Sequence, residues 1–545
     1  MSSSLNVEIA NDSDNIIKLE AIKSALTNDW KFLKEIYDLL LEGNVFPENI
    51  KNGFSGCGNH KIVDYICPSE LKKKIDLKID NSSKSSSFYE TNNYENIKDI
   101  LKDVIKYSVK TNHPYFRNQL FGQLDPFGLA GTWISEALNT STYTFEVAPV
   151  FSLIETEIIQ TFCKFFQFQN GDGIFAPGGS ISNMYSIVLA RYKKFPETKT
   201  KGLFGLPPLV IFTSEESHYS IKKACNWLGF GYNNCITIKT NKFGQMLVAD
   251  LEEKILEAKN EHKIPFYVNA TAGSTVLGAF DNLEEISDVC KKYDLWLHVD
   301  ACLGGAAILS KKHKNLLNSV SKVNSISWNP HKSLGAPLQC SLFLVNGKEI
   351  MTNGDVNHEH TDSDSSTTSL LSQCNAIEVK YLFQQDKYYD VSYDTGNKSI
   401  QCGRKIDAFK FWVMLKARGL TSFETLIDNA LDIANKFYIK IKNRPGFRLV
   451  QEKFQYTNVC FWYIPKNMRN QPENENWWKI INTVAPKIKE KMIMSGTMMV
   501  GYTPLPYRNL GNFIRMAFTC FPVLNENDIE FLINEIENLG EQICL

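Results

Sequence analysis

The sequence lacks the features that mark several large classes of protein. It has no run of about 18 apolar residues, as a membrane-spanning helix would need, and its opening lacks the basic and apolar regions of a secretory signal. The 59 Lys and Arg against 60 Asp and Glu leave no positive excess to attract nucleic acid. The 13 cysteines include no CxxC pair, which argues against a zinc ribbon and a disulfide framework. We therefore expect a cytoplasmic protein that binds neither membranes nor nucleic acid and holds no metal.

The composition is that of a folded, globular protein. Hydrophobic residues make up 43% and charged residues 22% of the 545 residues, which excludes a mainly disordered or collagen-like chain. At roughly 150 residues per domain, this length predicts three or four structural units.

The middle of the chain alternates between two kinds of segment. Between residues 208 and 345, the β-rich runs LVIFTS, FYVNAT, LWLHVD, SISW and CSLFLV alternate with helix-like runs such as LEEKILEAKN and LEEISDVCKKY. This βαβ pattern predicts a parallel sheet covered by helices. A helix is predicted from Trp30 to Leu41, and later strands near residues 498–502 and 512–518 suggest a C-terminal α+β domain.

Two polar stretches interrupt this organisation. The Ser-rich residues 81–87 and the acidic residues 353–369 are nearly free of large apolar side chains, so we expect loops. His358 and His360 lie among carboxylates in the second stretch and could be taken for metal ligands. A solvated loop of this composition binds no metal tightly by default, and we predict no metal site there.

A lysine at the end of a β-rich run gives the sharpest chemical signal. The run SISW stops at Asn329, and Pro330, His331 and Lys332 follow before another run resumes at Cys340. Ligands of open α/β sheets collect at the carboxyl ends of strands, where a partly desolvated lysine can attack a carbonyl carbon. Taken alone, such a lysine is more often a solvated surface residue.

The context of this lysine includes a carboxylate at the end of another strand. The run LWLHVD ends in Asp300 and is followed by the small residues Ala301 and Cys302. A buried carboxylate needs a cationic partner, and the protonated pyridine nitrogen of pyridoxal phosphate (PLP) is one. The alternative is an ordinary helix-capping aspartate.

Two further pieces fit the same cofactor. Gly178, Gly179, Ser180 and Ser182 precede a helical run, where backbone N–H groups and hydroxyls could hold a phosphate. His218 follows a strand and could lie flat against an aromatic ring. Each signal is weak by itself, but phosphate cradle, histidine, aspartate and lysine occur in the order that PLP enzymes of fold type I use.

The chain resembles the group II PLP-dependent decarboxylases, in the branch that contains glutamate, cysteine sulfinate and aspartate decarboxylases. The resemblance runs from about Ile105 to the C-terminus and rests on motifs such as LNTSTYTFEVAPVF, GDGIFAPGGSISNMY, HVDA, NPHK and DVSYDTG. It implies an α/β fold with a fold-type I large domain around a mixed, mostly parallel sheet. We expect an N-terminal helical segment (residues 1–115), this PLP-binding domain (116–400) and a small α+β domain (401–545).

The resemblance also implies roles for individual residues. Lys332 would form the Schiff base with PLP, Asp300 would pair with the pyridine nitrogen, and His218 would stack on the ring. Arg515 would hold the substrate α-carboxylate. The remaining positions expected to contact the cofactor are Ser180, Ser182, Thr271, Cys302, Asn329 and His331.

The family protonates its decarboxylated product with a tyrosine on a loop. In KYLFQQDKYYDVSYDTG this residue is Tyr389, with Tyr388 as the alternative. A phenol is a suitable acid because it stays protonated at neutral pH. The resemblance further implies a homodimer in which the loop bearing Tyr389 reaches the cofactor of the partner subunit.

Substrate choice is expected to depend on Gln119 and Phe121, whose counterparts line the pocket for the distal acidic group. Glutamate decarboxylases have a small polar residue at the position that matches Phe121, whereas the cysteine sulfinate and aspartate branch has an aromatic one. At this position the chain therefore resembles the second branch. A phenyl ring shortens the pocket, and one methylene of misfit costs about 1–3 kcal/mol. We therefore predict decarboxylation of cysteine sulfinate or aspartate, with glutamate as the alternative.

The family pattern is broken after Asp300, where Cys302 and Leu303 replace the usual alanine and tryptophan. Cys302 could tune the ring or merely fill space. Transamination, oxidative decarboxylation and a catalytically silent relative remain alternative functions. Intact Tyr389 argues against oxidation, and intact Lys332 and Asp300 argue against a silent protein.

Overall fold

The fold is described from a computed structural model, which describes residues 32–46, 61–75, 77, 94–122, 124–347, 369–377 and 379–544. The Ser-rich stretch 81–87 and almost all of the acidic stretch 353–369, with His358 and His360, lie outside these ranges. The chain divides into two compact units, Met1–Phe116 with Glu490–Met499, and Arg117–Lys489 with Val500–Leu545. Within the described ranges, no helix is both long and apolar enough to cross a lipid bilayer.

The first unit contains three described helices, α1 (residues 32–42), α2 (Pro68–Lys74) and α3 (Tyr94–Tyr107). Helix α1 covers the described part of the helix predicted from Trp30. In α3, apolar residues recur every three or four positions, the spacing that gives a helix one apolar face.

The second unit is built on a seven-stranded sheet in the order β2-β8-β7-β6-β5-β3-β4. The strands are β2 (Asp172–Phe175), β3 (Leu209–Ser214), β4 (Cys235–Ile238), β5 (Ile264–Thr271), β6 (Trp296–Asp300), β7 (Ser325–Trp328) and β8 (Leu342–Val345). Strands β3 to β7 pair in parallel, whereas β8 runs antiparallel to both β7 and β2. The predicted α/β class with a mixed, mostly parallel sheet is confirmed.

Strand residues alternate between two apolar layers. In β8, Leu342 and Leu344 belong to one buried cluster, while Phe343 and Val345 belong to the other. Such alternation follows from the two-residue period of a strand, and burial of both faces explains why these strands are apolar throughout. The first layer contains α5 (Pro149–Phe165), α9 (Val248–Asn260), α10 (Leu283–Tyr293) and α13 (Asp407–Arg418); the second contains α6 (Gly179–Lys194), α8 (Ser220–Trp227) and α12 (Leu370–Asn375).

A five-stranded sheet follows the order β1-β11-β12-β10-β9. Its strands are β1 (Phe116–Arg117), β9 (Phe447–Leu449), β10 (Asn458–Tyr463), β11 (Met499–Leu505) and β12 (Leu510–Ala517). The remaining helices are α4 (Pro126–Leu138), α7 (Thr198–Lys201), α11 (Pro330–Ser333), α14 (Leu420–Lys442), α15 (Glu475–Ser495) and α16 (Glu526–Glu541). Strand β12 is central, and its antiparallel pairing sets Arg515 between Cys460 of β10 and Gly501 of β11.

Candidate active site

A cavity of about 450 Å³ lies at the carboxyl ends of the parallel strands. Thr271 ends β5, Asp300 ends β6, and the parallel register sets these two residues side by side. Eleven residues predicted from the sequence line this cavity, namely Phe121, Gly178, Gly179, Ser180, His218, Thr271, Asp300, Cys302, Asn329, His331 and Lys332. The topology therefore brings together residues that are more than 200 positions apart in the chain.

Asp300 is buried and lies near Lys332 and His218. Burial raises the pKa of its carboxyl, but Lys332, His218 and two hydrogen bonds outweigh that effect and hold the pKa below its ordinary value. The hydrogen bonds come from the backbone N–H of Cys302 at 3.1 Å and from Asn183 Nδ2 at 2.8 Å. Asp300 is therefore a buried anion, as its predicted pairing with a pyridinium nitrogen requires. The bond from Cys302 shows that it also holds the turn after β6.

Behind Asp300 lies a hydrogen-bond network centred on Asn183 and His298. Burial lowers the pKa of His298 to about 3, so its ring is neutral. His298 Nε2 lies 3.1 Å from Asn183 Oδ1, and its Nδ1 lies 2.8 Å from Ser325 Oγ. Because an amide oxygen only accepts, Nε2 carries the proton and Nδ1 accepts from the serine. The network thus points its donors toward Asn183 and, through Asn183 Nδ2, toward the carboxylate of Asp300.

The same asparagine connects to the predicted ring-stacking histidine. Asn183 Nδ2 also donates to Ser220 Oγ at 3.0 Å, and that hydroxyl lies 2.9 Å from His218 Nδ1. Burial is the largest influence on His218, and it lowers the pKa of this ring. A neutral His218 with Nδ1 as acceptor satisfies the serine hydroxyl. One side chain, Asn183, therefore fixes both Asp300 and Ser220.

The predicted phosphate cradle is formed where α6 begins. A Cβ placed on Gly179 would lie 2.5 Å from Cys302 Sγ and 2.7 Å from Asn329 Nδ2, so only glycine fits there. Ser180 lines the cavity, but Ser182 does not. The Ser182 hydroxyl is buried and lies 2.8 Å from Ser341 Oγ, which donates to Asn329 Oδ1 at 2.6 Å. Ser182 thus holds Asn329 in place through the hydroxyl of Ser341.

Lys332 lies in α11, the single turn that follows β7. His331 is buried against Cys340, and burial lowers the pKa of its ring to about 3. The backbone N–H of Lys332 donates to the carbonyl of Asn329 at 3.0 Å, which holds the turn. The turn therefore fixes the backbone of Lys332 at the edge of the cavity.

Thr271 is held by a neighbouring carboxylate. Its backbone N–H donates to Asp281 Oδ2 at 2.7 Å, and Asp281 Oδ1 accepts from the N–H of Met246 at 2.6 Å. Burial raises the pKa of Asp281 to about 6. The Thr271 hydroxyl itself is buried and has no hydrogen-bond partner among the described residues.

Cys302 is a protonated thiol in this cavity. Burial, together with the charge of Asp300, keeps the pKa of Cys302 well above its ordinary value. The Cys302 sulfur packs against Gly179, because a Cβ placed on that glycine would lie 2.5 Å from Sγ. A filling role and a tuning role are both compatible with this position.

Besides Ser182, three predicted residues lie away from the cavity lining: Gln119, Tyr389 and Arg515. Gln119 is exposed. The Tyr389 hydroxyl donates to Asp394 Oδ1 at 2.9 Å and accepts from Lys387 Nζ at 3.0 Å. Arg515 is adjacent to the cavity, because its Nη1 donates at 2.9 Å to the carbonyl of Thr275, a lining residue.

Three observations indicate that the residues lining the cavity can hold PLP. The orphaned Thr271 hydroxyl offers a donor, Gly178, Gly179 and Ser180 line the cavity at the N-terminus of α6, where an anion is favoured, and Asp300 is a buried anion. Lys332 in the same cavity supplies the amine. This set matches an aldehyde, a phosphate and a protonated ring nitrogen.

Sequence reasoning missed Asn183, His298 and the lining residue Tyr219. Asn183 follows the predicted Ser182 directly, so its place in the first turn of α6 was a usable signal. His298 lies two residues before Asp300 in β6 and therefore shares its side of the strand. No local signal marks Tyr219, which follows the predicted His218.

Comparisons with known proteins agree with this geometry. The chain matches the family described as "Pyridoxal-dependent decarboxylase conserved domain" over residues 78–367 and 365–464. It is 44% identical over 513 residues to acidic amino acid decarboxylase GADL1 of Xenopus tropicalis, covering 94% of this chain and 93% of that protein. The human protein of the same name is 43% identical over 513 residues, covering 94% and 91%.

A solved structure gives the same result for the fold. The crystal structure of mouse CSAD is 41% identical and superimposes with a TM-score of 0.84, covering 95% of this chain and 99% of that chain. The likeness therefore extends over nearly the whole of both molecules.

Proposed function

The chain belongs to the pyridoxal-dependent decarboxylase family, so it is a PLP-dependent amino-acid decarboxylase, and we propose that it acts on a short acidic L-amino acid. The proposed substrates are cysteine sulfinate, which would give hypotaurine, and aspartate, which would give β-alanine. The observation that carries this choice is Phe121, whose side chain lines the same cavity as Lys332. Relatives named acidic amino acid decarboxylase support the acidic class.

PLP supplies the electron sink that takes up the electrons of the bond to the departing carboxylate. In our assignment, Lys332 would hold the cofactor covalently, Asp300 would keep a proton on its ring nitrogen, and His218 would contact its ring. The cradle residues Ser180 and Asn329, with the free hydroxyl of Thr271, would bind its polar substituents.

Arg515 is assigned to the substrate α-carboxylate. Its guanidinium donates to two carbonyls, those of Thr275 and Asn118, and has no carboxylate partner among the described residues. A guanidinium has five N–H donors in a fork that suits a carboxylate. Held in this way, a substrate keeps its Cα–carboxylate bond in the orientation that cleavage requires.

Tyr389 is assigned to return a proton to Cα. Burial is the largest influence on its phenol and raises the pKa above the ordinary value. The hydroxyl is therefore protonated at neutral pH and can act as an acid. We further propose that the protein is a cytoplasmic homodimer in which Tyr389 serves the site of the partner subunit.

The substrate proposal is tested by competition. Holoenzyme incubated with equal concentrations of glutamate, aspartate and cysteine sulfinate should release hypotaurine or β-alanine in excess over γ-aminobutyrate. Phe121→Ser should lengthen the pocket and raise the rate with glutamate relative to aspartate about tenfold, since one methylene is worth about 1–3 kcal/mol. Phe204→Ser, at a position whose side chain is 98% exposed, is the matched control.

Glutamate is the second candidate, since the segments DVSYDTGNKSIQCGRKIDAFKFW and TNVCFWYIP resemble glutamate decarboxylases. Predominant γ-aminobutyrate from the parent enzyme would establish this candidate. Failure of the enzyme to release an amine from any of the three acids would reject both.

A further inference from the structure

Two cations stand beside the candidate site without an acidic partner. Arg515 lies on β12 and Lys489 on α15, and within the described ranges neither forms an ion pair. Lys489 Nζ donates to Asn118 Oδ1 at 2.6 Å, and Arg515 Nη2 donates to the backbone carbonyl of Asn118 at 2.7 Å. One asparagine therefore accepts from both positive groups.

The environment makes this pair of like charges unfavourable on its own. Burial lowers the pKa of Lys489, and the nearby charge of Arg515 lowers it further. Cys460 lies beside Arg515, but burial raises the pKa of its thiol to about 12, so it carries no negative charge at neutral pH. Lys489 also lies over the aromatic ring of Tyr502, with its Nζ 5.8 Å from the ring centre. Burying charges without a counter-ion costs free energy that an incoming anion would recover.

The backbone next to the pair leaves space for this arrangement. Gly501 lies opposite Arg515 in the sheet, and a Cβ there would lie 3.1 Å from the carbonyl oxygen of Asn118 and 3.5 Å from Arg515 Nη2. A side chain at this position would push against the bond between Arg515 and Asn118. Because Gly501 has no side chain, Arg515 and the carbonyl of Asn118 stay in contact.

The pair is connected to two walls of the cavity. Thr275, whose carbonyl accepts from Arg515, lines the cavity, and Asn118 precedes by three positions Phe121, which lines it as well. Lys489 itself does not line the cavity. Its influence on a bound molecule therefore acts through Asn118 and through its positive charge.

We propose that Lys489 is a positioning residue that makes the site select substrates with two negative groups. It holds Asn118, and with it the segment that carries Phe121, and it adds a second positive charge to that of Arg515. This inference rests on the proposed function, since it concerns the distal acidic group of the same substrate. An amino acid with one carboxylate satisfies Arg515 and leaves Lys489 uncompensated, whereas an acidic amino acid neutralises both.

The test uses two ligands of equal size that differ by one charge, succinate and its monoamide succinamate. Their dissociation constants for the holoenzyme are measured by titration calorimetry, which needs no turnover. Lys489→Met should weaken succinate binding about tenfold, the effect of one charge acting over several ångströms at a partly buried site. It should change succinamate binding less than about twofold. Lys489→Arg should keep the preference for succinate.

Lys489→Gln separates the effect of the positive charge from the effect of the hydrogen bond to Asn118. Glutamine can still donate to Asn118 but is neutral, so it should lose the preference for succinate as Lys489→Met does. Lys487→Met is the matched control, because Lys487 lies in the same helix and donates at 2.8 Å to the carbonyl of Cys544. It should leave both dissociation constants unchanged.

Equal weakening of succinate and succinamate in Lys489→Met and Lys489→Gln would show a merely structural role and overturn the inference. Unchanged binding of both ligands would overturn it as well. The proposed function fails on a different result, the absence of amine from acidic amino acids with the parent enzyme. Selective succinate binding can thus be observed whether or not the assigned substrates are turned over.

Discussion

At the scale of single residues, the most informative side chain is Asn183. Its amide donates to Asp300 and to Ser220, while its oxygen lies 3.1 Å from His298 Nε2. These hydrogen bonds therefore connect α6 to two other elements, β6 through Asp300 and His298, and α8 through Ser220. A carboxylate held by an oriented network keeps its negative charge and its position better than one held by water.

Asn183→Leu should weaken the binding of PLP. The substitution keeps the size of the side chain but removes the donor to Asp300, and a hydrogen bond to a charged group is worth about 1.5–3 kcal/mol. Cofactor affinity should therefore fall about 10- to 100-fold, measured by titrating apoenzyme with PLP and following absorbance. Asn226→Leu, at an exposed position of α8, should leave the affinity unchanged. Equal affinities of the Asn183 variant and the parent would exclude this role.

The residues predicted from the sequence and those missed differ in one physical respect. Asp300 ends an apolar run and Lys332 follows one by four residues, so a local pattern marks them and the topology of parallel strands brings them together. Asn183 and His298 act through contacts between elements, and no pattern within α6 or β6 indicates which partners they will meet. Ser182 shows the converse: its motif was recognised, but its hydroxyl turns toward Ser341 instead of the cavity.

At the scale of elements, a buried ion pair joins α5 to the segment that bears Tyr389. Glu155 of α5 and Arg404 are 2% and 3% exposed, and Arg404 Nη1 lies 3.1 Å from Glu155 Oε2. The same nitrogen donates to Thr395 Oγ1 at 2.9 Å, and Glu155 Oε1 accepts from the N–H of Phe175 at 2.9 Å. The pair thus ties a helix, the edge strand β2 and the loop after Tyr389 to one another.

Glu155→Gln should be strongly destabilising. Breaking a buried pair leaves the guanidinium without its counter-ion, which costs about 3–5 kcal/mol of the free energy of unfolding. Denaturant unfolding followed by tryptophan fluorescence measures this loss. The neighbouring pair of Lys405 and Glu136 is exposed, with Nζ and Oε1 2.9 Å apart, and provides the control. Glu136→Gln should cost less than about 1 kcal/mol.

Comparing the buried pair with the exposed pair shows whether burial or the loss of charge alone lowers the free energy of unfolding. Similar losses in Glu155→Gln and Glu136→Gln would show that burial of the first pair contributes little. Arg404→Met combined with Glu155→Met should recover part of the loss, since a buried apolar pair leaves no charge unpaired.

At the scale of the whole molecule, the fold class was predictable because strand patterning and motif order are regular along the chain. The order of strands was not, since β8 joins the sheet antiparallel to both of its neighbours, β7 and β2, and no local pattern specifies an edge. The net charge of −1 is similarly uninformative about the site. The proposed substrate selection depends instead on the local placement of Arg515 and Lys489, which only the three-dimensional structure brings together.

The proposed homodimer makes a prediction about which subunit supplies each group. Within its own chain, Tyr389 bonds to Asp394 and Lys387 and does not line the cavity that contains Lys332. If Tyr389 serves the partner's site, Tyr389→Phe should retain PLP but lose most amine formation, and Lys332→Ala should lose its PLP absorbance. A heterodimer of these two inactive chains would contain one complete site.

Differently tagged chains purified as that heterodimer should therefore recover about half the activity of the parent dimer, since one of two equivalent sites is intact. The reciprocal heterodimer pairs a parent chain with a chain that carries both substitutions. Its only lysine-bearing site would then face the altered Tyr389, so it should be nearly inactive. A tyrosine that served its own chain would reverse both results, because the first heterodimer would have no complete site and the second would keep one. Amine formation by the two preparations thus assigns Tyr389 to one subunit or the other, and a monomeric active species in light scattering would reject the shared site altogether.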